Sequence, residues 1–130
     1  MALIDSSAWI AYLRGAEGEV RVAVRKELAA GSAESCGIID LEVLAGARNE
    51  ANLGQLEEML SLAQNHRVEE GDFATAAEIF RTCRGVGVTI RSLNDCIIAS
   101  IALRTRSEIL HDDRDFDRLA QVVGVRARRS

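Results

Sequence analysis

The chain has 130 residues, 48% of them hydrophobic and 28% charged, with a formal net charge of −4. That length allows one domain with a sizeable core and leaves no room for a second; the composition excludes a disordered chain, and no run approaches the roughly 18 apolar residues of a membrane span. The acidic sum argues only weakly against a nucleic-acid partner, because carboxylates that bind divalent cations are less negative in the working state.

The start, MALIDSSAWI, has no positively charged n-region and carries Asp5, so the chain reads as cytoplasmic rather than secreted. Ala2 to Ile4 reads as a buried strand, followed by the polar junction Asp5-Ser6-Ser7 and a short helix ending at Gly15, with Ser7 as its N-cap. From Glu17 to Ala30, Val20, Val24 and Leu28 recur every four residues, which predicts an amphipathic helix closed by Gly31. A short strand near Glu34 to Gly37 precedes a helix starting around Ile38, and a second amphipathic helix covers roughly Asn52 to Asn65. HRVEEG reads as a brief strand, and DFATAAEIFRTCRG as a helix capped by Asp72 and stopped by Gly85.

After a loop, LNDCIIASIALR is apolar enough to be a buried helix. The strand EIL, a cluster of aspartates, a short helix through Leu119 and a strand at VVGV complete the pattern, and the tail RARRS reads as frayed. Short apolar strands alternating with helices imply an α/β fold, with a mainly parallel sheet of about five short strands between two helical layers. Residues 1–130 form one domain, without repeat, linker or proline. Cys36, Cys83 and Cys96 are odd in number and form no CxxC, so they read as small core residues.

In open parallel sheets, ligands bind beyond the carboxyl ends of the strands, and the acids follow that rule. Asp5 ends the first strand, and the aspartates at 112, 113, 115 and 117 follow EIL within a few residues. Glu42 lies about one turn into the helix after the second strand, and Asp95 in the first turn of the buried helix. Convergence of these acids, with oxygen donors only, suits Mg²⁺ or Mn²⁺. Each also has a plainer reading. Asp95 can favour a helix N-terminus behind a Ser92 cap, Asp5 can cap the next helix, and Glu42 can sit on a solvated helix face. Asp113 and Asp115 fall on one side of an extended segment by the period of two and form the better ligand pair, while Asp112 and Asp117 face water. Arg14, Arg91 and Arg114 lie near the ends of these segments and suit phosphate pairing or simple solubility.

LIDSSAWI, IIDLEVLAG, LNDCIIASIAL and ILHDDRDFDRL together resemble the ordered acidic motifs of PIN domains, in particular the VapC toxins of bacterial toxin-antitoxin pairs, over essentially the whole chain. The resemblance implies a PIN-like three-layer fold and a Mg²⁺-dependent endoribonuclease inhibited by a VapB-type antitoxin, with Mn²⁺ able to substitute. It implies that Asp5, Glu42, Asp95 and Asp113 form the metal-binding and catalytic set, with Asp115 an accessory ligand and Ser6 a residue that helps hold the site or substrate. It also implies a homodimer, or a heterotetramer or octamer with the antitoxin. The position before the last acids is often threonine or serine in that family; here it is His111, which reads as structural, as does His66.

Two rivals stand beside this reading. A haloacid-dehalogenase or receiver-type phosphotransfer enzyme needs a second aspartate or a lysine that Ser7 and the single, badly placed Lys26 do not supply. A non-catalytic PIN-fold interaction module would use apolar residues such as Trp9, Ile10, Leu13 and Leu44 for binding, as would a dimer or antitoxin surface, although a buried core role is the default for each of them.

Overall fold

The computed structural model describes residues 1–15 and 17–130. Five strands, β1 (Ala2–Ile4), β2 (Ala33–Cys36), β3 (Gln64–His66), β4 (Glu108–Leu110) and β5 (Ala127–Arg128), form one sheet in the order β3-β2-β1-β4-β5. Every pairing is parallel, so the connections must cross over, which is the work of the seven described helices. They are α1 (Ser6–Leu13), α2 (Glu19–Ala30), α3 (Gly37–Leu44), α4 (Glu50–Leu60), α5 (Glu70–Gly85), α6 (Leu93–Thr105) and α7 (Arg114–Val123).

Helices α1 to α4 pack mainly on one another, as do α5 to α7, and both groups reach the sheet. Right-handed crossovers in this strand order put the two groups on opposite faces, giving the expected three layers. The central strands are therefore buried on both sides, and Ala2, Leu3, Ile4, Ile109 and Leu110 have no exposed surface. All three cysteines are buried and free. No described helix is long and apolar enough to cross a membrane.

Several boundaries differ from expectation, each for a local reason. Asp5, not Ser7, caps α1: its carboxylate accepts the amide of Ser7. Helix α2 begins at Glu19, and α4 runs from its Asn49 cap only to Leu60, because β3 already pairs with β2 from Gln64. Helix α5 starts at Glu70, where Glu69 and Asp72 form a reciprocal capping box. Helix α7 continues through Val123, so VVGV is no strand; Gly124, at φ 73°, turns the chain into β5. The tail is not frayed. Arg128 bonds Glu27 at 2.6 Å, and Arg129 bonds Asp112 at 2.7 Å and Asp117 at 2.9 Å.

Candidate metal centre

Four segments deliver carboxylates to the carboxyl edge of the central strands. Asp5 leaves β1 and caps α1, its Oδ2 accepting the Ser7 amide at 3.0 Å and the Ser7 hydroxyl at 2.6 Å. That hydroxyl in turn accepts the Asp112 amide at 2.9 Å, which ties the ends of β1 and β4 together. Asp5 is buried, and its second oxygen, Oδ1, has no hydrogen-bond partner. Glu42 projects from α3, half-buried, with the Ser6 hydroxyl 3.4 Å from its Oε1. Asp95 lies buried in the first turn of α6; Ser92 stands at the N-cap position, but its side chain makes no capping bond. Asp113 caps α7 and accepts the amide of Asp115 at 2.9 Å.

The acids feel one another. Burial, and then the charges of Asp5, Asp113, Glu42 and Asp115, push the Asp95 carboxyl up to about 8. Burial also raises Asp5 against its bonds to Ser7, with the charge of Asp113 adding to the rise. Glu42 is raised by burial and by Asp5. A cluster that holds protons this tightly is short of positive charge.

Asp115 stands apart from this pattern. It does not pair with Asp113 along an extended segment, because Asp113 is a helix cap and Asp115 lies inside α7. Asp115 is fully buried, and burial alone would raise its carboxyl. The amide and guanidinium of Arg91, 3.1 Å each from Oδ2, and Arg118, 3.2 Å from Oδ1, instead hold it below the usual carboxylate range. Arg91 also donates to Asp113 Oδ1 at 3.0 Å. Of the three arginines suited to phosphate pairing, Arg91 is thus already engaged by two acids, while Arg14 and Arg114 are exposed.

His111 is fully buried against Phe116, with ring centroids 5.4 Å apart, and its Nδ1 accepts the Asp113 amide at 3.1 Å. That bond braces the backbone before the α7 cap, and burial lowers the imidazole's pKa. His66 sits beside buried Glu34 on β3 and β2, away from the acids. Asp112 and Asp117 are half-exposed, as expected, but paired with Arg129 rather than free. Trp9 belongs to the core, which removes it from the proposed apolar surface; Ile10 and Leu13 remain exposed, and Leu44 is half-buried. A cavity of about 640 Å³ is lined by Ile10, Leu13, Arg14, Glu42, Arg48 and Gln55, among others.

Sequence reasoning missed Ser7 as the link between two acidic segments and Arg91 and Arg118 as their counter-ions. The repeated serine after Asp5 carries a signal for Ser7; no spacing rule links Arg91 to an acid 24 residues later.

Among the described residues, no three acidic, histidine or cysteine side chains form a ready-made ion cage. The donors nevertheless fit a hard divalent cation, since all are oxygens, one buried carboxylate oxygen is orphaned, and the cluster lacks compensating charge.

The profile of the PIN domain family matches residues 2–122. The VapC ribonuclease Mb1587 of Mycobacterium bovis is 38% identical over 98% of this chain and 97% of its own length. Ribonuclease VapC11 of Mycobacterium tuberculosis shows the same identity and coverage. In fold, the chain is similar to the crystal structure of VapBC2 from Rickettsia felis bound to a DNA fragment from their promoter, with a TM-score of 0.80 and 14% identity over 98% of this chain and 96% of that one.

Proposed function

This chain belongs to the PIN domain family, and on that premise we propose that it is a Mg²⁺-dependent endoribonuclease toxin, neutralised by a VapB-type antitoxin, with Mn²⁺ able to replace Mg²⁺. The substrate class is tRNA, rRNA or mRNA, cut by attack of water on a phosphodiester. The observation that carries the reading is the convergence on Asp95 of charge from Asp5, Glu42, Asp113 and Asp115, which belong to three segments distant from it in sequence.

Asp5, Glu42, Asp95 and Asp113 would hold the cation, with Asp115 adjoining. When bound, the cation lowers the pKa of its water and neutralises charge gathering on the phosphate. The chain's own groups set the stage for this. Ser7 fixes one oxygen of Asp5 and leaves the other free, Ser6 orients Glu42, and the α7 cap aims Asp113. Ser6, Arg14, Arg91 and Arg114 are the proposed substrate contacts. Arg14 suits this role best, because it is exposed and lines the same cavity as Glu42. Stacking surface is scarce, so RNA shape would contribute to specificity.

The names of the relatives support the ribonuclease reading, and the VapBC complex supports an antitoxin partner. The exposed Ile10 and Leu13 suit a second copy or the antitoxin, in a homodimer or a heterotetramer or octamer. The test is cleavage of a structured RNA pool by antitoxin-free protein with Mg²⁺, Mn²⁺ or EDTA, beside Asp5→Asn, with the product ends sequenced. Discrete cuts that need metal, leave 5′-phosphates and vanish in the variant are expected. Folded protein that cuts nothing under any metal overturns the proposal, and 2′,3′-cyclic phosphate products overturn the water-attack step.

A further inference from the structure

We propose that Arg91 is a built-in cation of the acidic site: its guanidinium neutralises the Asp113–Asp115 half and competes there with the divalent ion. The inference rests on the metal-site reading above and deepens it by assigning how the site is charged.

The acids divide sharply by partner. Asp5, Glu42 and Asp95 have no arginine or lysine among their described ion-pair partners. Asp113 and Asp115 share Arg91, whose Nη2 lies 3.0 Å from Asp113 Oδ1 and whose Nε lies 3.1 Å from Asp115 Oδ2. Its own backbone amide adds a third bond to the same Asp115 oxygen, so the residue is anchored by main chain as well as side chain. Arg91 sits in the loop just before α6, the helix that carries Asp95, while its two acids open α7. The arginine therefore joins the two chain segments that bound the site.

This bonding matches what a divalent ion would do in the same place. An ion shared by carboxylates needs their oxygens to converge; the Arg91 fork draws Asp113 toward itself instead, in keeping with the lack of a ready-made cage. The Arg91 side chain is 60% exposed and rooted on a loop, so its tip can leave Asp113 without unfolding a helix. Arg118, by contrast, reaches only Asp115, from within α7. It bonds Oδ1 of Asp115, not the Oδ2 that Arg91 holds, and does not reach Asp113.

Two physical roles predict opposite signs. If Arg91 only aims Asp113, losing it weakens ion binding. If it competes as a cation, losing it removes a repelling positive charge from an ion's first neighbours and tightens binding.

The test is calorimetric titration of Mn²⁺ into RNA-free and antitoxin-free protein, for wild type, Arg91→Gln, Arg91→Lys and Arg118→Gln, with folding checked by circular dichroism. Arg91→Gln should bind Mn²⁺ on the order of tenfold more tightly than wild type, and Arg118→Gln within about threefold of it. Arg91→Lys keeps the charge but not the fork, and should fall between wild type and Arg91→Gln. Should Arg91→Gln fail to fold, tightened binding by Arg91→Lys alone still supports the inference. Unchanged or weaker Mn²⁺ binding by a folded Arg91 variant overturns it and leaves the metal site intact. Wild type that binds no Mn²⁺ overturns the metal-site reading, and this inference with it.

Discussion

The amide of Asp112 donates to the hydroxyl of Ser7 across 2.9 Å, a bond between residues 105 apart in sequence. The same hydroxyl donates to Asp5, so one serine sets the spacing between the first and last acidic segments.

Ser7→Ala should therefore do two things at once. It leaves the Asp112 amide and one oxygen of Asp5 a hydrogen bond short, at a cost of about 1–2 kcal/mol in urea unfolding. It also leaves Asp5 held only by the amide of residue 7, a looser tether, so cleavage should fall further than the stability loss explains, most visibly in kcat. A variant with lowered stability but wild-type kcat would limit Ser7 to a structural part.

The positions of the acids were legible in the sequence because parallel α/β sheets place strand ends on one edge, and Asp5 and the 112–117 cluster each follow an apolar strand. What the sequence could not show was how neighbouring aspartates divide their tasks. Alternation suggested that Asp113 and Asp115 act as a pair, but helix capping governs there, and it separates a cap from a fully buried, arginine-bound carboxylate. The tail was misread for a similar reason: RARRS looks like a solvated end until Glu27, Glu108, Asp112 and Asp117, all distant in sequence, supply its partners. Trp9 takes the core place that is the default for a large apolar residue, but α1 is apolar on several sides, and only the packed structure tells its buried Trp9 from its exposed Ile10 and Leu13.

Stability of the metal-free protein should fall as pH rises from about 6.5 to about 8. Asp95 binds its proton more tightly folded than unfolded, so its contribution is complete below the ordinary carboxyl range and is lost as pH climbs through about 8. The raised Asp5 and Glu42 act in the same direction. His111 works oppositely: burial lowers its pKa, so its contribution is present above the ordinary imidazole value and is lost as pH falls, which keeps it out of this window. Thermal melts at several pH values should show the decline, and saturating Mg²⁺ should flatten it by supplying the missing charge. A slope that Mg²⁺ leaves unchanged would mean that the protons are not held by the ion-binding acids.

A second cluster of charge offers the contrasting case. Asp72, nearly fully buried at the start of α5, accepts Arg104 at 2.9 and 3.1 Å and the Ser100 hydroxyl at 3.3 Å, and these bonds hold its carboxyl low despite burial. Arg104 also reaches Glu69 and the carbonyl of Arg67, so the pair pins α5 to α6. Asp72→Ala should cost about 2–3 kcal/mol, less than the ~3–5 of a fully buried pair, because Arg104 is about a third exposed. Since none of the residues it contacts is among the metal-site acids, Mn²⁺ affinity and the pH slope of the metal-free melt should remain those of wild type. The two clusters should thus separate by experiment: an acid whose charge is met inside the fold stabilises it at neutral pH, whereas Asp5, Glu42 and Asp95, which lack such a partner, should destabilise it there unless added cation offsets their charge. If Asp72→Ala changed Mn²⁺ affinity as strongly as Asp5→Asn, that separation would fail, and the α5–α6 contact would have to be counted as part of the site.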